Sequence, residues 1–509
     1  MPIKEPEVTF LIIPAQQLAG VQAQKVLIVG QKLAAGTAVS GELIQDHPND
    51  GTEDALFGAA SHVGGMVREF KKLNKRSRLD IIALDDAAGT AATAIDTVTG
   101  AATAAGSFYI SIASEKNHKY KISVAAADAA TDIGDAIAAA VTADLNAPFS
   151  AANLAGVVTF TAKNLGTIAN DWSVKITGTV AGVSHALTGW AAGATDPSLT
   201  GVLDTIANIR YQTIVWPSAY DITIVEDVLN TRFNTSNDIM DGVAMQGKKG
   251  TLAELKAYTS PLNSQSLVVV GNKTVSRAGL IGTATVEMPD SIVAQMAAIR
   301  SLRLTEGAPL TRFLTTVARS DQFGGIALAS LPYFNTSLPN LPVANSVDEF
   351  KAEELDEMRN NAVAVIGPNR AYNGTIFGEV VTGYLTDNAG NPDDSYKFLN
   401  TVDTASVIRE FFYENCRSRY AQTRLTDGAL ISGRDMANAG SVRAFCNQLY
   451  DELAANALVQ AGSAAKKDYN DNLIITTNIR TGTVTIDQAP LLVTQLRAIL
   501  GTIQINFGG

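Results

Sequence analysis

The sequence is short of charge. Asp, Glu, Lys and Arg make up 17% of its 509 residues, against roughly a quarter in an average globular chain, while Ala, Thr and Gly are abundant. So few charges solvate a surface weakly and favour burial against other copies of the chain. The charge present leans acidic, net -11, which speaks against a general nucleic-acid binder because phosphate neutralisation needs a basic face. The best basic run, KKLNKRSR at 71–78, reads as the basic end of a helix, where the macrodipole favours cations. Cys416 and Cys446 are the only cysteines, too few for a disulfide framework and without a CxxC pair or histidines at zinc spacing. Both are expected to be reduced and buried. No run of about 18 apolar residues occurs, and MPIKEPEVTFLIIPAQQ lacks the apolar core and cleavage site of a signal peptide, so folding in a cytoplasm is expected.

Catalytic signatures are missing as well. His47, His62, His118 and His185 are the only histidines, with no HExxH and no pair four residues apart, which leaves no metal site. There is no G-x-S-x-G elbow for a serine nucleophile. VLIVGQKLAAG offers Gly30 and Gly36 but no G-x-G-x-x-G, so no dinucleotide fingerprint. GVAMQGKKGT at 242–251 fits the G-x-x-x-x-G-K part of a phosphate loop, but Lys249 stands where Ser or Thr should hold magnesium. The segment before it, NTSNDIMD, is polar and not a buried strand. The expectation there is a glycine-bounded turn with solvated lysines. Asp85 with Asp86, Glu353 with Glu354 and Asp393 with Asp394 are acidic pairs of the kind found at turns and helix surfaces. The reading is of no enzyme and no cofactor.

What is present is alternation on two scales. At 509 residues the chain suggests roughly three or four domains. KVLIVGQ, LDIIALDD, YQTIVWP, SLVVVGN and NAVAVIGPN are apolar runs stopped by Gly, Pro or acid, with helical patterns between them, as at 57–70, 224–233 and 291–302. That is the texture of a mixed or parallel sheet covered by helices. It is interrupted by a β-rich stretch containing SFYISIAS, KYKISVA, VVTFTAKN and WSVKITGTV around one helix-like segment. Small-residue boundaries at 87–105 and 189–200 read as linkers. From about residue 401 the pattern turns helical, with Ile408, Phe411, Phe412, Cys416 and Tyr420 on one stripe and Val442, Phe445, Cys446, Leu449 and Leu453 on another. LIITTN and TVTID then alternate like edge strands.

The expected organisation is an α/β and α+β multidomain chain. It has an N-terminal extended arm at 1–24, a split α/β core at 25–100 and 195–400, and an inserted β-rich domain at 101–194. A C-terminal α+β domain follows at 401–490 and an extended C-terminal arm at 491–509. Both arms hold a strand-like segment where chains usually fray. VTFLIIP carries Val8, Phe10 and Ile12 in alternation, and GTIQINFGG carries Ile503, Ile505 and Phe507. Each must find a sheet, in its own subunit or in another.

KVLIVGQ after an extended arm, the Ala/Thr-rich β insert, SVIREFFYENCRSRY, LTDGALISGR and PLLVTQLRAILGTIQINF together resemble the contractile tail sheath proteins of Mu-like phages, over nearly the whole chain. The resemblance implies a non-catalytic polymer subunit of a virion tail, assembled in the host bacterial cytoplasm. It implies hexameric rings stacked helically around a tail tube, with baseplate and tail terminator proteins as further partners, no direct nucleic-acid contact and no membrane insertion. The arms would add strands to neighbouring subunits, Leu473, Ile475, Val484 and Ile486 would lie in the receiving strands, and the insert would face outward. Tube contact is expected of the C-terminal helical domain, near Arg409 to Arg424. The sheath of a phage-derived injection device, such as a tailocin or secretion system, is the near alternative. An α/β enzyme with an inserted β domain and a surface adhesin are the distant ones.

Overall fold

The computed structural model describes residues 24–48, 51–233, 239–304, 333, 336–339, 341–369 and 374–493. They divide into two compact units, one within 24–406 and the other at 407–493.

The larger unit is built on parallel strands in the spatial order Arg78–Asp85, Lys25–Lys32, Thr213–Val215, Val243–Gly250, Leu267–Arg277 and Val363–Asn369. Leu43–Ile44 lies antiparallel beside the first. These strands read as unbroken apolar runs because both faces are covered. Val26, Ile28, Leu79, Ile81 and Ala83 pack with Phe57, Met66, Phe70 and the helix Pro289–Leu304 on one side. Leu27, Val29, Ile82 and Leu84 pack with Tyr211, Trp216 and Leu229 on the other. A slip of one residue would exchange the two sets, so the register is fixed by the core.

GVAMQGKKG is not the expected turn. Val243–Gly250 is an interior strand, paired in parallel on both sides. Its polar centre is tolerated because the buried Gln246 amide is satisfied: its nitrogen donates to the carbonyls of Pro217 and Tyr220, both at 2.7 Å, and its oxygen accepts from Tyr258. Gly247 is needed because a Cβ there would stand 2.6 Å from the Pro289 carbonyl oxygen. The lysines are not freely solvated either. Lys248 donates to the Ser218 carbonyl, and Lys249 donates to the Asn170 carbonyl at 2.7 Å.

The insert forms two antiparallel layers around its own core, in which Phe149, Phe160, Trp172 and Trp190 meet edge to face. One layer has the order Ser184–Ala191, Thr93–Thr99, Val157–Ala162, Phe149–Leu154. Its second strand lies inside the supposed first linker. Its first strand, Ser184–Ala191, runs into the supposed second linker. The two boundaries are clasped together, with Thr90 N donating to the Ala194 carbonyl at 3.1 Å and Ala194 N returning the bond at 3.2 Å. The other layer, Ser114–Val124, Gly106–Ile112 and Val174–Thr177, continues into the core sheet through Leu280–Thr283. The insert is thus joined to the core by a shared sheet and not by flexible tethers.

Side chains strengthen that joint. Ser173 Oγ lies 2.8 Å from Thr283 Oγ1, and Ser114 Oγ donates to Glu287 Oε2 at 2.7 Å. Glu287 is 1% exposed, and its Oε1 has no hydrogen-bond partner among the described residues. Burial, with the Glu69 carboxylate nearby and Lys72 opposing it only in part, pushes its pKa up to about 8. A folded-state pKa above the unfolded one means the folded chain holds the extra proton. Stability therefore falls as pH rises from about 4.5 to about 8, by at most about 1.4 kcal/mol per unit from this group. Glu287→Gln is expected to flatten the pH dependence of chemical denaturation across that window and to be more stable than the parent at pH 8. An unchanged slope would show that Glu287 does not hold the proton.

Candidate assembly site

Two places among the described residues bear directly on the expected function classes. The first is the C-terminal end of the parallel strands, where open α/β sheets hold their ligands. Here the insert fills it. Asn164, 2% exposed, accepts from His62 N at 2.9 Å and donates to the Lys32 carbonyl and to Asp86 Oδ1 at 3.2 and 2.9 Å. His62, Asp290 and Ser218 do come together, but with the aspartate in the middle. His62 Nε2 is 3.0 Å from Asp290 Oδ2, and Ser218 Oγ donates to the same oxygen at 3.1 Å. A serine nucleophile needs its proton taken by the imidazole, whereas Ser218 gives its proton to a carboxylate and is fully buried. Asp85 is paired with Lys32 at 2.6 Å. Asp86 accepts from Asn164 and from Leu165 N, and burial raises its pKa. Glu354 caps the start of the helix Ala352–Asn360, and Asp393 accepts from Ser395 and Tyr384 at a turn. No group of three or more His, Cys, Asp or Glu among the described residues could hold a metal ion. Cys446 is fully buried and Cys416 partly so; burial pushes their thiols up to about 11 and about 12, far from thiolate chemistry at neutral pH.

The second place is in the smaller unit. The helix Ala439–Ala455 is started by Asn438, whose side chain accepts from Ser441 N at 2.9 Å while Ser441 Oγ accepts from Asn438 N. It packs Val442, Cys446, Leu449, Tyr450 and Leu453 inward. Tyr450 stacks on Tyr469 of the helix Ser463–Asn472, with ring centroids 4.3 Å apart. Arg443 then donates to the carbonyls of Asn470 and Leu473 at 3.2 and 2.5 Å. It satisfies acceptors that the helix end leaves open and fixes where the next strand begins.

That strand is Ile474–Asn478, paired antiparallel with Thr483–Asp487 so that Ile475 faces Ile486 and Thr477 faces Val484. The expected receiving residues meet here. Leu473 is buried at the helix end, one residue before the strand, and Ile475, Val484 and Ile486 follow on the same half-buried face. The other face, Ile474, Thr476, Thr485 and their neighbours, is exposed. Among the described residues neither strand has a second partner, so the hairpin is a two-stranded sheet with two open edges. Past it the chain returns to pair with 458–460, Gln460 N donating to the Leu491 carbonyl at 2.8 Å and Val493 N to that of Leu458 at 3.2 Å. The arm residues Val8, Phe10, Ile12, Ile503, Ile505 and Phe507 lie outside the described residues.

As a whole the fold is similar to that of a solved sheath protein. The sheath of an extracellular contractile injection system, the PVC sheath complex in its contracted state, is 9% identical and covers 100% of this chain and 99% of its own, with a TM-score of 0.50. The sheath tail protein of Desulfitobacterium hafniense is 12% identical over 96% of this chain and 98% of its own, with a TM-score of 0.49. By sequence the similarity is to a phage protein, the Mu-like prophage FluMu tail sheath protein of Haemophilus influenzae, 23% identical over 447 residues that span 86% of this chain and 84% of that one. No family model matches the chain.

Arg443→Ala is expected to destabilise the smaller unit by about 1.5–3 kcal/mol, the range for a hydrogen bond to a charged group, and to speed amide exchange over 474–478. Exchange there at the parental rate would mean that the strand's start is set by something other than Arg443.

Proposed function

We infer that this chain is the sheath subunit of a contractile phage tail. It polymerises as stacked hexameric rings around a tail tube, between baseplate and terminator proteins, after folding in the host bacterial cytoplasm. It contracts to drive the tube through the host envelope, and no catalytic role belongs to this reading. The insert faces outward, and the C-terminal helices, near Arg409 to Arg424, face the tube. The sequence similarity to a phage tail sheath is what favours a phage tail over an injection device, which shares the fold.

The observation that carries the assembly mechanism is the open hairpin. Two strands alone are marginal in water, and among the described residues this pair has no further strand on either side. Its edges carry little charge: IITTN has none, and TVTID has only Asp487. One free edge of the insert differs. Ser114–Val124 exposes Lys116, Lys119 and Lys121, and lysine on an edge strand discourages further pairing. The hairpin, open on both sides, is therefore an edge suited to strand addition, by residues 502–507 of one neighbour and 8–13 of another.

The energetics favour many weak links. An added strand gains about 1 kcal/mol per hydrogen bond and roughly 1.5–3 kcal/mol for each buried Ile or Phe. Ordering its backbone costs about 1–2 kcal/mol per residue. One arm is a marginal tie, whereas two per subunit repeated around a ring bind through multivalency. Joining one patch to a different patch generates rings and open helices and not closed dimers. Removing residues 501–509 is expected to abolish tubes in negative-stain images of the purified protein while its secondary structure by circular dichroism stays near that of the parent. Normal tubes from the shortened chain would refute the role given to this arm.

A further inference from the structure

A cleft of about 370 Å³ opens between the helix His62–Leu73 of the core and the insert, and the sheath reading gives it no role. It is lined by Arg68, Glu69, Lys72, Lys116, His118 and Asp144, with Ser61, Asn117, Asn146 and Ser291 among them. The bonding of these groups is lopsided. The two carboxylates are fully engaged. Glu69 Oε1 accepts from Lys72 and, at 3.1 Å, from Asn117, and Oε2 accepts from Gln295 at 3.1 Å. Asp144 Oδ2 accepts from Tyr120 at 2.8 Å and lies 3.0 Å from His118 Nδ1, and Oδ1 accepts from Asn146 N at 3.0 Å.

The donors are not used up. Arg68 spends Nη1 on Asp54, and its side chain is 31% exposed. The Lys72 side chain is 45% exposed. Lys116 donates to the Pro339 carbonyl, which leaves two of its three ammonium hydrogens. Its charge is poorly compensated, since burial lowers its pKa despite Glu287 and Glu69 nearby.

His118 is 7% exposed. With Nδ1 against a carboxylate, Nδ1 is the protonated nitrogen of the neutral ring, and Nε2 presents a lone pair for which no described residue is a partner. Burial, then Arg68 and Lys72, hold its pKa below the usual histidine value despite Asp144, so the neutral form is favoured at neutral pH. The cleft thus sets one acceptor beside three cations. A ligand that satisfies both carries a hydroxyl hydrogen and anionic oxygens on one centre, which describes hydrogen phosphate and, at lower pH, the singly ionised form of a phosphate monoester. A carboxylate lacks the hydrogen.

We propose that this cleft is a phosphate-binding site, with Arg68, Lys72 and Lys116 holding the anionic oxygens and His118 Nε2 accepting from the P–OH group. The test uses the full chain and inorganic phosphate at constant ionic strength, with sodium chloride as the control salt. Four histidines make the imidazole NMR signals tractable. Phosphate is expected to shift the His118 signals saturably and to raise the pKa of His118, while His47 and His185, which do not line the cleft, stay unmoved. Lys116→Met, which leaves the Asp144–His118–Tyr120 contacts in place, is expected to weaken binding at least tenfold. Arg68→Met serves as the second variant should Lys116→Met fold poorly. Equal effects of phosphate and chloride on His118, or unweakened binding in both variants, would overturn the proposal.

Discussion

The constraint on which this structure turns is that every strand edge must dispose of a row of amide and carbonyl groups. The chain meets it in different ways. In the core, interior strands are paired on both sides, and the last interior strand takes its final partner from the antiparallel segment Gly374–Phe377. In the insert, the helix Ala130–Thr142 packs along the edge strands Ser114–Val124 and Phe149–Leu154, and lysines stud the first of these. Among the described residues the hairpin at 474–487 has two open edges, little charge and a half-buried apolar face. An unsatisfied edge of that kind is a liability in a monomer and a connector in a polymer.

How legible the fold was depended on which faces were buried. KVLIVGQ, LDIIALDD, SLVVVGN and NAVAVIGPN could be read because burial on both faces leaves an unbroken apolar signature. TAIDTVT was hidden by one residue. Asp96 sits at an inward position, fully buried, with its Oδ2 2.9 Å from His185 Nδ1, so an inward-facing strand residue looks polar and its small neighbours look like linker. Val243–Gly250 was hidden in the same way by Gln246 and the close-approach Gly247. In each case a specific long-range partner makes a polar residue tolerable inside, and sequence periodicity carries no trace of that partner. The hairpin at 474–487 was legible because IITTN and TVTID have one face half buried and one exposed, the case in which alternation is plain. Its start was not, since Leu473 belongs to the helix end that Arg443 closes.

The core also shows how a fold can carry the position of an active site without the chemistry. The ends of the parallel strands gather His62, Asp290 and Ser218, residue types that elsewhere cooperate in acyl transfer. Here the order of bonds is wrong for activating the serine, and Asn164 from the insert occupies the approach. The same bonds that close this region fix the insert to the core, so the larger unit carries its insert as part of one sheet. A subunit that transmits force, as proposed above, needs a body that does not deform, and a shared sheet with buried polar pins supplies it.

The central claim is that the open hairpin receives a strand from another copy of the chain. The most direct measurement places cysteines at Ile486 and Ile505 in a background with Cys416→Ser and Cys446→Ser, assembles the protein and oxidises it. The account predicts a ladder of covalently linked multimers on a non-reducing gel, lost when either new cysteine is omitted. A crosslink confined to single chains would contradict it.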